Sequence, residues 1–224
     1  MSAASSVDRR YRFVYKPLLF LACLVPLAWA LGGILALPWS LFSLGHDPVR
    51  RVLGIFGHSA LNFLLITLSV SPLRQLSGNA QLLRLRRMLG VFAFTYALLH
   101  FLTYVGPFQG LSWKAIVKDL VKRPYITIGF TALLLLVPLA VTSTNAMMRR
   151  LKRRWQSLHR LIYVIAVLGV WHYWWQVKKD IREPLIYAVL LAVLLLWRLR
   201  RRLRSAQAPA LTSRSASPTT RGTA

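Results

Sequence analysis

Histidine is the residue of this 224-residue sequence whose placement suggests chemistry. His58, His100 and His172 each lie within a long stretch that contains no Asp, Glu, Lys or Arg. His159 lies two residues before the stretch that contains His172, and His46 is the last residue of the first such stretch. An ionisable side chain among apolar residues in a membrane is energetically costly and indicates function by default. Imidazole can ligate a metal, carry a proton or form a hydrogen bond between two helices. The positions of these histidines must therefore show which of the three roles each one has.

Six charge-free stretches predict six membrane-spanning helices. Hydrophobic residues form 56% of the sequence and charged residues 16%, and a helix needs roughly 20 apolar residues to cross the hydrocarbon core. The stretches are 17–46, 52–73, 88–113, 124–148, 161–177 and 184–197. The last has only 14 residues, but the arginines that follow it can reach the lipid headgroups. We therefore predict an all-α integral membrane protein that forms a six-helix transmembrane bundle.

The distribution of basic residues predicts the orientation of this bundle. Of the 30 Lys and Arg, 20 lie on the side that includes both termini and 9 on the other side, while Arg160 lies at the start of the fifth span. Cytoplasmic loops are rich in Lys and Arg, so both termini are predicted to be cytoplasmic. The expected organisation is a cytoplasmic segment 1–16, a transmembrane domain 17–197, and a basic, then disordered, cytoplasmic tail 198–224. The net charge of +25 then reflects topology and contact with anionic lipids, and not a nucleic-acid partner.

Several classes of chemistry are excluded by composition and motif. The single cysteine, Cys23, excludes an intrachain disulfide and a cysteine-ligated zinc or iron–sulfur site. The sequence has no dinucleotide-binding G-x-G-x-x-G, no P-loop and no H-E-x-x-H, and no internal repeat is evident. No soluble catalytic domain fits in the loops. Chemistry is therefore expected from side chains within the helices and from a cofactor bound between them.

His100 and His172 are predicted to lie at the same depth in the membrane. His100 follows the cytoplasmic Arg87 by 13 residues. His172 follows Arg160 by 12, so at 1.5 Å per residue both lie about 18–20 Å from the cytoplasmic boundary. His58 enters from the outer face and can reach a similar level. Two imidazoles on facing helices can hold a haem b between them, and an iron with both axial positions filled is suited to single-electron transfer.

His159 is a candidate ligand for a second haem nearer the cytoplasm. It is expected on the same helix as His172, about 20 Å away. Thirteen residues at 100° each place the two side chains roughly 140° apart, so both face one interior only if the helix bends, for example at Gly169, or if the haems approach from different sides. Two other functions stay open: a transporter that uses histidines as proton relays, and a structural assembly subunit. The five acidic residues lie outside the predicted spans, which disfavours the transporter.

Seven short motifs resemble one known family. The stretches RPYITIGF, TSTNAM, WQSLHRLIY, WHYWW, EPLIY, RRMLG and ALLHFLTY are similar to MsrQ, the haem-binding membrane subunit of bacterial periplasmic methionine sulfoxide reductase systems. The similarity extends from about residue 47 to 197 with the order of the spans preserved. It also places the sequence in the wider ferric-reductase-like group, which includes the NADPH oxidases. The resemblance implies a ferric-reductase-like haem-binding core over about 47–197.

This resemblance also implies cofactors and partners. The expected cofactors are one or two haem b groups and FMN, in a bacterial inner membrane. Electrons would enter from the quinone pool or a cytoplasmic flavin reductase and leave to MsrP, a periplasmic molybdopterin-dependent reductase. MsrP would reduce methionine sulfoxide and so repair oxidised periplasmic proteins. No motif locates the FMN.

The family's histidines match His100, His159 and His172 in this sequence. Arg86, fourteen residues before His100, lies where NADPH oxidases carry a second histidine, so His159 lacks an evident inner partner. His58 lies where a relative has arginine, which makes it an alternative ligand or a contact to a haem propionate. Basic residues predicted on the outer side are expected to neutralise propionates or to meet the periplasmic partner; they are Arg50, Arg51, Lys178 and Lys179.

Overall fold

The computed structural model describes residues 11–35, 44–177 and 180–212, which are helical with short connections. We number the helices α1 (Lys16–Ile34), α2 (Pro48–Ser77), α3 (Leu82–Thr103), α4 (Trp113–Lys122), α5 (Pro124–Val141), α6 (Asn145–Leu151), α7 (Arg153–Leu158), α8 (Leu161–Gln176) and α9 (Arg182–Thr212). π-Helical turns precede α1 (Tyr11–Tyr15) and follow α3 (Tyr104–Phe108). The described residues contain no strand, so the all-α prediction is confirmed.

Four segments are long and apolar enough to cross a membrane. They are Phe13–Ile34, Pro48–Ser77, Leu82–Phe108 and Pro124–Val141. Helix α8 has 16 residues, and α9 has 31 residues with Arg198 and further arginines inside it. The protein is thus a membrane protein with several apolar helices, and the count of six spans stays a prediction. Helix α9 continues into the expected tail as far as Thr212, and residues 1–10 and 213–224 lie outside the described residues.

The interior of the fold is a bundle of α2, α3, α5 and α8. Helix α2 packs along α3, and α5 packs along α8. Contacts of α3 with α5 and of α8 with α2 close the ring, while α1 and α9 lie against its outside. The Tyr96 hydroxyl attaches α1 to α3, because it donates to the Cys23 carbonyl at 2.6 Å and accepts from the Leu27 amide at 3.3 Å. The bundle interior is therefore formed by the three helices that carry His58, His100 and His172, together with α5.

Capping residues explain where several helices begin and end. The Asp47 side chain accepts a hydrogen bond from the Arg50 amide, and Pro48 occupies the first turn of α2. Gly78, with φ of 69°, ends the same helix in the left-handed conformation. The Thr144 side chain caps α6, so the stretch 124–148 does not form one span. The fourth apolar helix ends instead at Val141.

The helix that was expected to carry both His159 and His172 is broken. Helix α7 ends at Leu158 and α8 begins at Leu161, so His159 lies in the turn between them. The angle calculated for one continuous helix therefore does not apply to this pair. The break is at the start of α8 and not at Gly169, which lies within α8 and faces Leu61 of α2.

Candidate functional site

His100 and His172 face each other inside the bundle. His100 lies on α3 and His172 on α8, and their ring centroids are 6.2 Å apart with an angle of 81° between the ring planes. The juxtaposition predicted from their equal depth is thus present in the structure. These helices are diagonal members of the four-helix ring, so the two imidazoles meet across its interior.

Backbone carbonyls fix the tautomer of both imidazoles. The Nδ1 atom of His100 lies 2.9 Å from the Leu53 carbonyl oxygen, and Nδ1 of His172 lies 2.7 Å from that of Tyr125. A carbonyl oxygen only accepts hydrogen bonds, so each Nδ1 carries the proton. Each Nε2 then keeps its lone pair, which is the form of imidazole that binds a metal, and the hydrogen bond at Nδ1 orients the ring.

A glycine lies against each of these rings. A Cβ atom on Gly57 would lie 3.0 Å from Nδ1 of His100, and one on Gly129 would lie 2.7 Å from Nδ1 of His172. Real Cβ atoms essentially never come closer than 3.0 Å to another heavy atom. The close approach of ring to helix backbone therefore requires glycine at position 129, and any side chain at position 57 would press on His100.

The two halves of the site repeat one arrangement. In each half, a histidine donates to the carbonyl of a residue on the neighbouring helix and lies against the glycine four positions further on. The set Leu53, Gly57 and His100 recurs 72 positions later as Tyr125, Gly129 and His172. The glycines also open similar sequences, GHSAL at 57–61 and GFTAL at 129–133. Sequence reasoning missed these glycines and carbonyls. The signal that indicates them is that the motif G-x-[S/T]-A-L and the histidine both recur after 72 residues.

The pair fits a metal whose remaining ligands belong to a cofactor. A first-row metal lies about 2 Å from an imidazole nitrogen, so two ring centroids on opposite sides of one metal are about 6 Å apart, in agreement with the observed 6.2 Å. In the part of the chain that the structure describes, no group of three or more His, Cys, Asp or Glu could hold a bare metal ion. Two axial imidazoles are the ligand set of a low-spin haem iron.

His58 is hydrogen bonded at both ring nitrogens. Its Nδ1 lies 2.7 Å from the Gly54 carbonyl oxygen, and its Nε2 lies 3.1 Å from the Tyr173 hydroxyl. The Tyr173 hydroxyl in turn donates to Glu183 at 2.6 Å. Tyr173 directly follows His172, so this polar chain runs from beside the histidine pair to the surface, where Glu183 is exposed.

His159 has a different environment. Its ring stacks on Trp155 with a centroid separation of 3.9 Å, and its Nδ1 lies 3.1 Å from the Trp155 carbonyl oxygen. Its Nε2 is buried and has no hydrogen-bond partner among the described residues. Burial lowers the pKa of His159, which favours the neutral imidazole. The Trp155 indole donates to the Thr142 carbonyl at 2.9 Å, which anchors the turn that carries His159 to the end of α5.

The basic residues predicted to lie on the outer side contact other groups. Arg50 pairs with Asp47 at 3.2 Å, and the Arg51 guanidinium lies 5.7 Å from the centre of the Trp29 ring. Lys178 and Lys179 lie outside the described residues. In the structure, then, neither arginine is held at the histidine pair.

Comparisons with known proteins agree on one family. The model of the family described as ferric reductase like transmembrane component matches residues 53–170. A protein-methionine-sulfoxide reductase heme-binding subunit MsrQ from Xanthomonas oryzae pv. oryzae (strain MAFF 311018) is 50% identical over 207 residues, 92% of this chain and 94% of the relative. Proteins of the same name from Xanthomonas campestris pv. campestris (strain 8004) and Herminiimonas arsenicoxydans are 56% identical over 161 residues (72% and 74%) and 49% identical over 186 residues (82% and 83%).

Proposed function

Because this chain belongs to the ferric reductase-like transmembrane family, we propose that it binds haem b and carries electrons through the membrane to a methionine sulfoxide reductase. The names of its relatives support the haem and the reductase partner. The observation that carries the proposal is the pair His100 and His172. Their ring centroids are 6.2 Å apart, and the lone pair on Nε2 of each ring is free because Nδ1 carries the proton.

The residues around the pair have defined roles in this function. Haem b, when bound, supplies an iron that changes oxidation state by one electron. His100 and His172 would hold it from α3 and α8, and the carbonyls of Leu53 and Tyr125 keep both rings from rotating. With His100 and His172 both bound to it, the iron would have no free position for oxygen to bind, so the pair favours transfer of single electrons. Gly57 allows His100 to lie close to the backbone of α2, and Gly129 allows His172 to lie close to the backbone of α5.

His159 is our candidate ligand for a second haem on the inner side. Its buried, unpartnered Nε2 supports this role. Its ring contact within the described residues is with Trp155 and not with another imidazole, so this second site would have one histidine. We propose that His58 contacts the cofactor from the outer side, near a propionate, and does not bind the iron, because both of its nitrogens have partners. FMN is proposed as a further cofactor on the strength of the family resemblance.

The direction of electron flow follows from the proposed topology. We propose an inner-membrane location with both termini cytoplasmic, supported by the excess of Lys and Arg on that side. Electrons would come from the quinone pool or a cytoplasmic flavin reductase. They would leave to a periplasmic molybdopterin-dependent methionine sulfoxide reductase, MsrP, which reduces oxidised proteins. The partner, and not this chain, would carry out the sulfoxide reduction.

The test combines haem quantification with reoxidation. Reduced-minus-oxidised visible spectra and haem per chain are measured for the wild type and for His100→Ala, His172→Ala, His159→Ala and His58→Ala. We expect His100→Ala and His172→Ala to lose the low-spin haem, His159→Ala to affect a separate component, and His58→Ala to keep the haem. Adding the reductase and methionine sulfoxide to the reduced wild type should reoxidise the haem. A wild type that is colourless after expression with adequate haem would contradict the proposal and favour a proton-coupled transporter.

A further inference from the structure

We propose that the lysine face of α4 is the docking surface for an acidic patch on the soluble protein that takes electrons from the haem. The inference rests on the function and orientation proposed above, which place α4 on the outer side of the membrane. It adds a location to that function, because it identifies where electrons leave the protein.

Helix α4 is amphipathic and presents its lysines away from the bundle. Ile116 and Asp119 are its buried residues, at 5% and 8% exposure. The lysines recur at every fourth position and are all exposed; they are Lys114, Lys118 and Lys122. At 100° per residue, the centre of this lysine stripe lies roughly 160° from Ile116 and 100° from Asp119, about 130° from the middle of the buried face. The stripe is therefore directed away from the interior of the protein.

A separate stripe of α4 is suited to lipid. Trp113, Val117 and Val121 are exposed at 75%, 56% and 77% and also recur at every fourth position. On the helical wheel they lie between the buried face and the lysine stripe, so the apolar stripe continues the surface of the bundle. Lipid can cover this stripe while the lysines project into water. This placement favours a water-soluble protein over a lipid surface as the partner of the lysines.

Asp119 holds α4 in a fixed position. Its carboxylate accepts hydrogen bonds from the Tyr104 hydroxyl at 3.0 Å and from the Gln109 side-chain amide at 2.7 Å. It also pairs with Arg123 at 3.3 Å. Among the described residues, none of the three lysines of α4 forms an ion pair, and the one carboxylate of the helix is already used by Arg123. The lysine charges are thus free to meet charges on another molecule.

The anchoring contacts also connect α4 to both haem ligands. Tyr104, which binds Asp119, lies four residues after His100. Tyr125, whose carbonyl holds Nδ1 of His172, lies three residues after Lys122. The Thr127 hydroxyl donates to the Leu120 carbonyl at 2.6 Å and so joins α4 to α5. A partner bound on α4 would therefore lie at the end of the bundle where both ligand-bearing segments emerge.

Electron-transfer partners form small, transient interfaces whose association is accelerated by complementary charge. Three exposed lysines on one rigid helix match an acidic surface in this way. Their placement also runs against the general preference for basic residues on the cytoplasmic side, so topology does not account for them.

The test uses the variant K114E/K118E/K122E with its haem loaded. Acidic residues on the outer side agree with the positive-inside rule, so this change should not disturb insertion. Haem in the reduced protein is mixed with oxidised reductase and methionine sulfoxide in a stopped-flow instrument, and the second-order rate of haem oxidation is measured against ionic strength. At low salt, we expect the variant's rate to be about tenfold or more below that of the wild type. The wild-type rate should fall as the salt concentration rises, whereas the variant's rate should not. Haem content, spectrum and the rate of haem oxidation by O₂ should not change.

The matched variant W113S/V117S/V121S keeps all three lysines and should keep the wild-type rate and salt dependence. Equal rates and salt slopes for K114E/K118E/K122E and the wild type would overturn the docking proposal. The same is true if the lysine variant loses only its affinity for vesicles that contain anionic lipid, which would assign the stripe to headgroups. A wild-type haem that the reductase fails to oxidise at any salt concentration would instead contradict the proposed function itself.

Discussion

The imidazole of His172 fills space that a side chain on α5 would otherwise occupy. A Cβ atom at Gly129 would lie 2.7 Å from its Nδ1 and 2.8 Å from its Cε1. The corresponding distances at Gly57 and His100 are 3.0 and 3.1 Å. At the scale of single residues, a metal-binding geometry here depends on two glycines as much as on two histidines.

We predict that Gly129→Ala weakens haem retention by about tenfold or more, since displaced ligand supports typically have effects of this size. Gly57→Ala should have a smaller effect, because its contact is less close. Gly90→Ala on α3 is the control, since its added Cβ would have ordinary contact with Thr67 at 3.9 Å. Haem per chain after dialysis against apomyoglobin measures all three. Equal retention in Gly129→Ala and Gly90→Ala would show that the ring moves aside without loss.

The histidine pair was predictable from the sequence, whereas its supports were not. Helical rise is fixed, so counting from Arg87 and Arg160 was sufficient to place His100 and His172 at one depth. Gly57 and Gly129 have no chemistry of their own, and only the constant 72-residue offset indicates their role. The partner of His58 was also hidden, because Tyr173 reaches it from another helix, 115 positions along the chain.

At the scale of elements, Arg198 of α9 repairs a gap in α2. Pro72 lies inside α2 and has no amide hydrogen to give to the Leu68 carbonyl, four residues before it. The Arg198 side chain donates to this carbonyl at 2.9 Å, and its other terminal nitrogen donates to the Tyr163 hydroxyl. One arginine therefore joins α9 to both α2 and α8.

We predict that Arg198→Met lowers the free energy of unfolding by about 1–3 kcal/mol, because it leaves the buried Leu68 carbonyl without a donor. In the double variant P72A/R198M, the amide of residue 72 can again donate to Leu68. Adding Pro72→Ala to the Arg198→Met variant should therefore restore about 1 kcal/mol of the free energy of unfolding. Thermal unfolding in one detergent compares the four members of the cycle. Strictly additive effects would indicate that the carbonyl is not what connects the two positions.

Helix α4 depends on the buried Asp119 for its position. We predict that Asp119→Ala frees α4, because Tyr104, Gln109 and Arg123 lose their shared acceptor. Limited proteolysis should cut the segment 109–123 faster than in the wild type, while haem per chain stays equal. Asp47→Ala, which removes a cap at the start of α2, is the control for loss of a carboxylate that caps a different helix. Unchanged proteolysis of Asp119→Ala would mean that packing of Ile116 alone holds the helix.

Element boundaries were the weaker part of the sequence prediction. Charge-free stretches locate apolar segments, but they do not detect polar caps. Thr144 begins a new helix inside the stretch 124–148, and the helix breaks at His159 and Arg160 before α8. The expected single helix with both His159 and His172 was wrong for this reason.

At the scale of the whole molecule, the bundle consists of two similar helix pairs. Helices α2 and α3 provide one half of the histidine site, and α5 and α8 provide the other. The two halves meet at His100 and His172, so the site exists only when the pairs pack together. Composition predicted a helical membrane bundle, while this pairing required the structure, because it depends on contacts between distant segments.

The proposed orientation can be tested with single cysteines in a Cys23→Ala background. We predict that Lys118→Cys on α4 reacts with a membrane-impermeant maleimide in intact cells. Arg150→Cys on α6 should react only after the inner membrane is opened, since the positive-inside rule places it in the cytoplasm. Both positions are exposed in the structure, so access to the side chain is equal. Reversed labelling would invert the topology and move α4 to the cytoplasmic side.

The most direct test of the central claim is a low-temperature electron paramagnetic resonance spectrum of the oxidised, haem-loaded protein, with haem quantified per chain. His100 and His172 as the two axial ligands, with ring planes near the observed 81°, predict a highly anisotropic low-spin ferric signal. The signal should persist in His58→Ala and His159→Ala and be absent from His100→Ala and His172→Ala. A wild type that lacks the low-spin signal, or a highly anisotropic low-spin signal that survives replacement of His100 or His172, would contradict the account.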